Sequence, residues 1–479
     1  MIQKPRRTKI IATLGPSTDN PEVFQQMITA GVDVVRLNFS HGSAEQHAKR
    51  AQMVRECSKK AGKEIAIMAD LQGPKIRVAR FKNGKVELKE NAIFTLDASL
   101  ATDAGDEHCV GIDYKNLPND VKAGDNLLLD DGRLVFKVEK VESPRIICRV
   151  VVGGELSNNK GINRQGGGLT VKALTEKDKA DMKTAAAIGV DYVAISFPRS
   201  ADDMLEARRL LDQIDCPAGL IAKIERIEAV HCIDDIIRAS DAVMVARGDL
   251  GVEIGDAELP AVQKHIIHRA RSLDKAVITA TQMMESMIHN AIPTRAEVFD
   301  VANAVIDGTD AVMLSAETAT GDHPALVIAA MARICLGAEK QSVTQLSRHR
   351  VECRFERPDE LIAMSAMYAA NHYNISAIIA LTESGSTPLW MSRIRSGIPI
   401  YALTRNLVSE RKMTLYRGVY PICLDMKTKD QHELNKSAIK KCLQHGVVQT
   451  GDWILISFGD QVGVHGGTNT LKVMQVDTL

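Results

Sequence analysis

The sequence lacks three features that would restrict its class at once: a long apolar run, an excess of one charge, and paired cysteines. No apolar run approaches the roughly 18–20 residues of a membrane-spanning helix. Basic and acidic residues number 60 each, so the charge balance favours neither a nucleic acid nor an anionic membrane as partner. The nine cysteines are scattered without a C-x-x-C pair, which argues against a disulfide framework or structural zinc and for a reducing compartment.

The N-terminus is basic, but the apolar run behind it is too short for a signal peptide. We therefore expect a soluble protein of the cytoplasm. A chain of 479 residues with 45% hydrophobic side chains is long enough for two to four domains with large cores.

The most regular feature of the chain is an apolar run that ends in polar residues and recurs with helical segments in between. Such near-continuous apolar strands are typical of a parallel sheet covered by helices. Eight runs predict an α/β protein built on a (β/α)₈ TIM barrel, whose polar strand ends gather at the catalytic C-terminal face. A doubly wound open sheet is the alternative that the pattern allows. The predicted strands are residues 10–13, 34–38, 65–70, 192–196, 220–223, 242–247, 276–281 and 311–315.

Two further regions interrupt or follow this pattern. Residues 71–171 alternate polar and apolar side chains around an Asp-Asp-Gly turn, which predicts a small β-barrel lid domain inserted after the third strand. A glycine-rich stretch at 161–168 suits a hinge. From about residue 345 an α/β pattern returns, with strands near 377–381, 400–404 and 453–457. The predicted domains are the catalytic barrel at 1–70 and 172–344, the lid at 71–171, and a C-terminal α/β domain at 345–479.

Charged residues end two neighbouring strands of the predicted barrel. Lys223 and Glu225 are two apart and project to one face of the first strand. The second strand ends in Arg247, Gly248 and Asp249. Two carboxylates and an ammonium in this position suit a divalent metal with an anionic substrate. A pair of surface ion pairs is the alternative for one such cluster, and the repetition of polar strand ends favours a site.

Other strand ends add polar groups to the same face. Arg36, Asn38 and Ser40 share one side of the second strand, where an arginine is well placed for a phosphoryl group. Thr281 ends the seventh strand and is a candidate substrate contact, whereas the methionines behind it suit core packing. An ordinary half-exposed strand would explain Arg36, Asn38 and Ser40 equally well.

A turn in the C-terminal region has the composition of a phosphate-binding loop. It follows a predicted strand and precedes a helix, so its hydroxyls and free backbone N–H groups can hold a phosphate. A simple capping turn is the alternative, and the density of hydroxyls favours the phosphate. The loop at 458–469 is a candidate cover for such a ligand. The turn consists of Thr382, Glu383, Ser384, Gly385, Ser386 and Thr387.

Five segments, at residues 36–42, 70–77, 221–225, 246–249 and 280–287, resemble pyruvate kinase segments in the order of that family, and the resemblance covers nearly the whole chain. It implies transfer of a phosphoryl group from phosphoenolpyruvate to ADP, giving pyruvate and ATP. It also implies that Glu225 and Asp249 hold Mg²⁺ or Mn²⁺, with a second divalent ion carried in by the nucleotide. Lys223 would neutralise charge on the phosphoryl group and the enolate oxygen.

The resemblance assigns roles to further residues. Arg36 and Arg77 match the arginines that contact the phosphoryl group in the family, and Thr281 matches the threonine near the enolate carbon. The remaining implied contacts are Ala246, Arg247, Gly248 and Asp249 for the substrate carboxylate, and Asn38, His41 and Lys160 for the nucleotide.

One departure from the family pattern concerns potassium. Many members bind this ion through residues that match Asn38, Ser40, Asp70 and position 71, with an acidic residue at position 75. Here Leu71 offers no side-chain oxygen, and Lys75 carries an ammonium that can supply the charge of the ion. We therefore expect activity without potassium.

The resemblance also implies an allosteric phosphate pocket at Thr382–Thr387 and a homotetramer. Because the turn itself carries no basic residue, we expect a monophosphate such as AMP or ribose 5-phosphate rather than fructose 1,6-bisphosphate, unless Arg393 or Arg405 reaches it. Two other functions stay open on the residues alone. One is a magnesium-dependent lyase or aldolase acting through a pyruvate enolate, and the other is a non-catalytic sensor of phosphorylated metabolites.

Overall fold

The centre of the molecule is a closed barrel of eight parallel strands. The computed structural model describes residues 5–345, 353–424, 430–461 and 466–477. The barrel strands follow one another in chain order, and the last pairs with the first. This confirms the (β/α)₈ prediction over the doubly wound sheet. The strands are Lys9–Thr13, Val34–Asn38, Ala66–Asp70, Tyr192–Ile195, Gly219–Ile224, Ala242–Ala246, Ala276–Ala280 and Ala311–Leu314.

The strands read as continuous apolar runs because both of their faces are buried. Ile10 and Ala12 pack outward against the surrounding helices, whereas Ile11 packs inside the barrel near Met313. The helices of this region are Pro21–Ala30, Ala44–Ala61, Glu176–Ala187, Ala201–Asp212, Ile227–His231, Ile233–Arg238, Arg247–Ile254, Leu259–Ser272, Arg295–Asp307, Ala316–Ala319 and Pro324–Ala338. Among the described residues, no helix is long and apolar enough to cross a membrane.

The segment inserted after the third barrel strand forms two sheets over its own apolar core. A six-stranded sheet has the order Ile162–Arg164, Asn126–Leu129, Leu134–Glu142, Arg145–Val152, Ile93–Asp97 and Cys109–Gly111, and a two-stranded ribbon joins Gly154–Ser157 to Lys85–Leu88. A short helix spans Leu117–Asp120. The predicted β domain is present, and Arg77 and Val78 bridge the two edges of its six-stranded sheet by pairing with Gly161 and Ile112.

The C-terminal region forms a five-stranded sheet in the order Val419–Cys423, Ile400–Thr404, Ala377–Leu381, Trp453–Phe458 and Thr470–Gln475, the last strand antiparallel. The first and last of these strands were not predicted. Val419–Cys423 contains Pro421, which lacks a backbone N–H and suits only an edge strand. Thr470–Gln475 is an exposed edge strand with little apolar signal. The helices are Pro358–His372, Ser386–Arg393, Leu407–Met413 and Gln431–Gln444.

Several predicted strand ends lie just beyond a strand. The sixth barrel strand stops at Ala246, and Asp249 lies in the first turn of the helix Arg247–Ile254. Ser40 lies in a turn after the second strand, and Thr281 follows the seventh with a left-handed φ of 75°. In the predicted cover loop, residues 462–465 lie outside the described residues.

Candidate active site

Lys223 lies at the centre of a buried polar cluster at the C-terminal ends of the barrel strands. Its Nζ is 2.9 Å from Glu225 Oε1 and 3.2 Å from Asp70 Oδ1, and it donates to Ser196 Oγ at 2.6 Å. Burial favours the neutral amine, but the two carboxylates outweigh it and raise the pKa of Lys223 above its usual value. The ammonium is therefore charged at every physiological pH.

Arg36 joins the cluster from the neighbouring strand. Its Nε donates to Asp70 Oδ2 at 2.6 Å, and Nη1 donates to Thr13 Oγ1 at 3.2 Å. Burial raises the pKa of Asp70, but Lys223 and Arg36 more than offset this, so the pKa lies below its usual value. Asp70 thus fixes two cations side by side, which is the arrangement that a phosphoryl group requires.

Glu225 and Asp249 are the two carboxylates predicted to hold a metal. Glu225 is almost fully buried, and its Oε2 accepts the Phe197 backbone N–H at 2.8 Å. Burial and the nearby charge of Asp249 raise the pKa of Glu225 against the opposing effect of Lys223. Asp249 in turn is 3.1 Å from Lys75 Nζ. Two mutually repelling carboxylates therefore face the same space, each held by one lysine.

These two residues fit a divalent cation that completes its coordination with substrate and water. Oxygen ligands from one or two carboxylates suit Mg²⁺, which usually keeps several waters or substrate oxygens. The described residues contain no group of three or more His, Cys, Asp or Glu side chains arranged for a metal, so a closed protein cage is not present among them. A cation here would also relieve the repulsion that raises the pKa of Glu225.

Thr281 is held at the barrel mouth by the guanidinium of Arg247. Arg247 Nη2 donates to the Thr281 carbonyl at 2.7 Å, Nε donates to the Ala280 carbonyl at 3.2 Å, and Nη1 donates to Asp300 Oδ1 at 2.7 Å. The Arg247 side chain is thus committed to protein groups, which leaves its backbone for a substrate. Gly248 lies against Thr281, because a Cβ at position 248 would be 3.0 Å from Thr281 Cγ2.

The groups predicted for the nucleotide side come from both the lid and the barrel. Lys160 Nζ is 2.7 Å from Asp130 Oδ1 within the lid, so the structure holds this lysine there. Arg77, at the start of the lid, pairs through its backbone with Gly161. His41 is exposed, and Asn38 Oδ1 accepts the Ser40 N–H at 3.1 Å. The structure therefore gathers the cations and carboxylates at the barrel mouth and leaves Lys160 apart.

Lys75 links the lid to the barrel site. Besides Asp249, its Nζ approaches Asp131 Oδ1 of the lid turn at 3.9 Å. Burial disfavours the ammonium, but Asp249 and Asp131 raise the pKa of Lys75 above its usual value. The charge that the sequence predicted in place of potassium thus lies beside a predicted metal ligand, with no described contact to Asn38 or Ser40.

Three contributors were not predicted from the sequence as site residues: Ser196, Phe197 and Asp300. Ser196 and Phe197 follow the fourth barrel strand, so the rule of polar strand ends would have found Ser196. Phe197 acts through its backbone N–H at a left-handed φ of 55°, and Asp300 lies on a helix. Neither of these two positions has a signal in the sequence.

The predicted phosphate turn precedes the helix Ser386–Arg393. Gly385 has a left-handed φ of 83° and donates its N–H to Thr382 Oγ1 at 3.0 Å. Ser384 and Ser386 exchange a hydrogen bond between hydroxyls at 3.1 Å, and Thr387 Oγ1 lies 2.9 Å from Thr468 Oγ1. The hydroxyls therefore gather at the helix N-terminus as the sequence predicted.

The basic residues near this turn have partners. Arg405 Nη2 is 3.0 Å from Glu383 Oε1. Arg393 is fully buried in an ion pair with Asp310 of the barrel and does not face the turn's ligand side as a free charge. Of the two arginines considered from the sequence, only Arg405 contacts the turn.

The closed barrel and its mouth of paired cations and carboxylates define a (β/α)₈-barrel enzyme suited to phosphorylated substrates. Comparison with known proteins identifies the family. The family model "Pyruvate kinase, barrel domain" matches residues 5–328, and "Pyruvate kinase, alpha/beta domain" matches residues 360–474. The chain belongs to the pyruvate kinase family, whose members are phosphotransferases.

Curated relatives match nearly the whole of this chain. Pyruvate kinase II of Salmonella typhimurium is 55% identical over 100% of both chains, and pyruvate kinase of Haemophilus influenzae is 55% identical with the same coverage. Pyruvate kinase of Geobacillus stearothermophilus is 40% identical over 99% of this chain and 81% of its own length.

Proposed function

We propose that this chain transfers the phosphoryl group of phosphoenolpyruvate to ADP, giving pyruvate and ATP. The bond between phosphorus and the enolate oxygen breaks, a bond to the terminal oxygen of ADP forms, and the enolate carbon takes a proton. The observation that carries this proposal is Lys223, a charged ammonium between Glu225, Asp70 and Ser196 at the mouth of the barrel. A lyase or a sensor would not account for a family match that spans both the barrel and the C-terminal domain.

The residues at the barrel mouth divide the work. Lys223 and Arg36 neutralise the phosphoryl oxygens and the developing enolate, because fixed cations in a water-poor site need no reorganisation during reaction. Arg77, at the start of the lid, is proposed as a further phosphoryl contact. The backbone of Ala246, Arg247, Gly248 and Asp249, at the N-terminus of a helix, receives the substrate carboxylate.

Glu225 and Asp249 would hold Mg²⁺ or Mn²⁺, which when bound polarises the substrate oxygens. Thr281 orders the water that protonates the enolate carbon. On the nucleotide side, Asn38 and His41 contact ADP, which brings its own divalent ion. Lys160 reaches the nucleotide phosphates when the lid closes, and it must first leave Asp130.

The test is formation of pyruvate and ATP from phosphoenolpyruvate and ADP, with Lys223→Met as the diagnostic variant. We expect its kcat to fall by at least about 100-fold, the scale of losing one preorganised electrostatic contact. Mn²⁺ binding, followed by electron paramagnetic resonance, is expected to persist because both carboxylates remain. Lys140→Met, at an exposed ion pair with Glu142, is the matched control and keeps its rate. Near-normal turnover by Lys223→Met would refute the assigned role.

Potassium independence is part of the proposal. Lys75 supports it, since its ammonium already places a positive charge 3.1 Å from Asp249. Initial rates in tetramethylammonium and potassium salts at equal ionic strength should agree within about twofold. Lys75→Glu should lose most of its rate without potassium, whereas Lys82→Glu, an exposed lid variant, should not. Loss of wild-type activity without potassium would contradict this assignment.

A phosphorylated metabolite is proposed to activate the enzyme at Thr382, Glu383, Ser384, Gly385, Ser386 and Thr387. The pairing of Arg405 with Glu383 and the burial of Arg393 support a monophosphate, because little free positive charge is left for a second phosphate. AMP, ribose 5-phosphate and fructose 1,6-bisphosphate should be tested separately in the coupled assay. A Ser384→Ala/Ser386→Ala variant should need at least about tenfold more activator, and stronger activation by the bisphosphate would overturn the preference.

A homotetramer and a cytoplasmic location complete the proposal. The exposed apolar side chains Ile292 and Phe299 support association, because burial at a subunit contact would remove them from water. Light scattering coupled to size-exclusion chromatography tests the oligomeric state.

A further inference from the structure

Four arginines line a small cavity between the N-terminal end of the barrel and the C-terminal domain, on the opposite side of the barrel from the active site. Arg7 precedes the first barrel strand, and Arg271 lies in the helix before the seventh. Arg395 and Arg417 come from the C-terminal domain. The cavity that these four side chains line, here called the arginine cavity, has a volume of about 20 Å³.

The carboxylates around the arginine cavity do not balance this charge. Asp310 is engaged by the buried guanidinium of Arg393, which does not line the cavity. Within the described residues, Arg271, Arg395 and Arg417 have no carboxylate oxygen within ion-pair distance, and their hydrogen bonds go mainly to backbone carbonyls. Three guanidinium groups of the described residues therefore meet without a carboxylate at ion-pair distance, although Asp310 and Asp307 lie near enough to act on Arg271 and Arg395.

Burial and mutual repulsion change the pKa values of these arginines. Burial and the neighbouring guanidinium groups lower the pKa of Arg271 to about 9. Burial and Arg417 lower the pKa of Arg7 and of Arg395 as well. Buried charges in proteins are normally paired, so guanidinium groups that repel one another in a buried site attract an anion.

The size and walls of the arginine cavity restrict the anion. The volume of about 20 Å³ is sufficient for one small anion. Apolar side chains, including Ile394, Ile398 and Ile400, line the rest and exclude bulk water, which strengthens the attraction between arginine and anion.

We propose that the arginine cavity binds one halide ion of the size of chloride. The ion compensates the charge of Arg271, Arg395 and Arg417, whereas Arg7 also lies 3.7 Å from Glu339 Oε2. Two of the four arginines belong to each side of the junction. Because it contacts both sides, the bound halide stabilises the docking of the C-terminal domain on the barrel.

The test is the melting temperature of the full-length protein in sodium chloride against sodium gluconate at equal ionic strength. We expect a saturable rise of about 2 °C with chloride, reproduced by bromide, because a ligand of the folded state alone stabilises it by mass action. Arg271→Gln should lose this difference. Arg269→Gln is the matched control on the same helix, since Arg269 faces Asp234 at the surface, and it should keep the difference.

Arg395→Gln provides a second variant if Arg271→Gln does not fold, and it too should lose the chloride response. Equal melting temperatures in chloride and gluconate, or a full response in both cavity variants, would overturn the proposal. Crystals soaked in bromide should show an anomalous peak in the cavity of the wild type and none in Arg271→Gln. A peak without a thermal effect would mean an adventitious ion only.

Discussion

Residues at the barrel mouth are packed so closely that displacements of a few tenths of an ångström matter, as Gly248 and Thr281 illustrate. Gly248 lies within the helix Arg247–Ile254, where alanine is the better helix former. A methyl group there would approach Thr281 Cγ2 to 3.0 Å. Thr281 has little freedom to move away, because its φ is 75° and Arg247 binds its carbonyl.

Gly248→Ala is therefore expected to reduce both activity and, to a smaller extent, stability. We expect kcat to fall by about 3–10-fold, since small displacements of positioned groups are costly in catalysis. The melting temperature should fall slightly, because the better helix propensity of alanine offsets only part of the close contact with Thr281. Gly251→Ala on the same helix is the control, because its methyl group would meet only the tip of Leu259. Steady-state kinetics with calorimetry on both variants checks this, and an unchanged kcat for Gly248→Ala would contradict the tight fit.

At the scale of secondary structure, the helix Leu407–Met413 brings a carboxylate to the junction with the barrel. Glu410 is buried, with 6% of its surface accessible to solvent. Burial and the nearby charge of Glu64 raise the pKa of Glu410 to about 7. The folded protein therefore keeps a proton that the unfolded chain, with a pKa of about 4.3, has released.

The free energy of unfolding therefore falls as the pH rises. The stability that Glu410 contributes is present below about pH 4.3 and is lost as the pH rises through about 7. Glu410→Gln removes the ionisation, so we expect its melting temperature to exceed that of the wild type by about 1–3 °C at pH 8, and the difference to vanish only as the pH falls to about 4. Glu90→Gln, an exposed lid variant, should show no such difference. A constant offset at all pH values would show that ionisation is not the cause.

At the scale of the whole molecule, a buried ion pair joins the barrel to the C-terminal domain. Arg393 and Asp310 are each about 1% exposed or less, and Arg393 binds both carboxylate oxygens. Asp310 also accepts backbone N–H groups from Val277 and Arg417, which belong to opposite sides of the junction. One carboxylate thus organises the contact between the two regions.

Arg393→Met is expected to destabilise the protein by about 3–5 kcal/mol, because it leaves a buried carboxylate without its cation. Adding Asp310→Asn should recover part of this loss, since the unpaired charge is then removed. Arg238→Met, at an exposed pair with Asp235, should leave the melting temperature nearly unchanged. Differential scanning calorimetry of the four proteins checks the order, and a double variant less stable than Arg393→Met would contradict it.

Much of the architecture could be predicted because apolar runs report burial directly. All eight barrel strands were located to within one or two residues, and so were the three central strands of the C-terminal sheet. The edge strand Val419–Cys423 was missed because Pro421 masks its pattern. Asp249 was assigned to a strand end, whereas it lies in a helix, since sequence periodicity does not resolve where a strand turns into the next element.

The sequence by itself determined the barrel, the inserted domain and the identity of the charged residues at the strand ends. These follow from local periodicity and from motifs in which the residues are close along the chain. Only the tertiary structure decided which charges meet: Lys75 with Asp249, Arg36 with Asp70, Arg393 with Asp310, and the four guanidinium groups of the arginine cavity. The physical reason is that such partners are far apart in sequence, and their distances depend on how the strands close and how the domains dock.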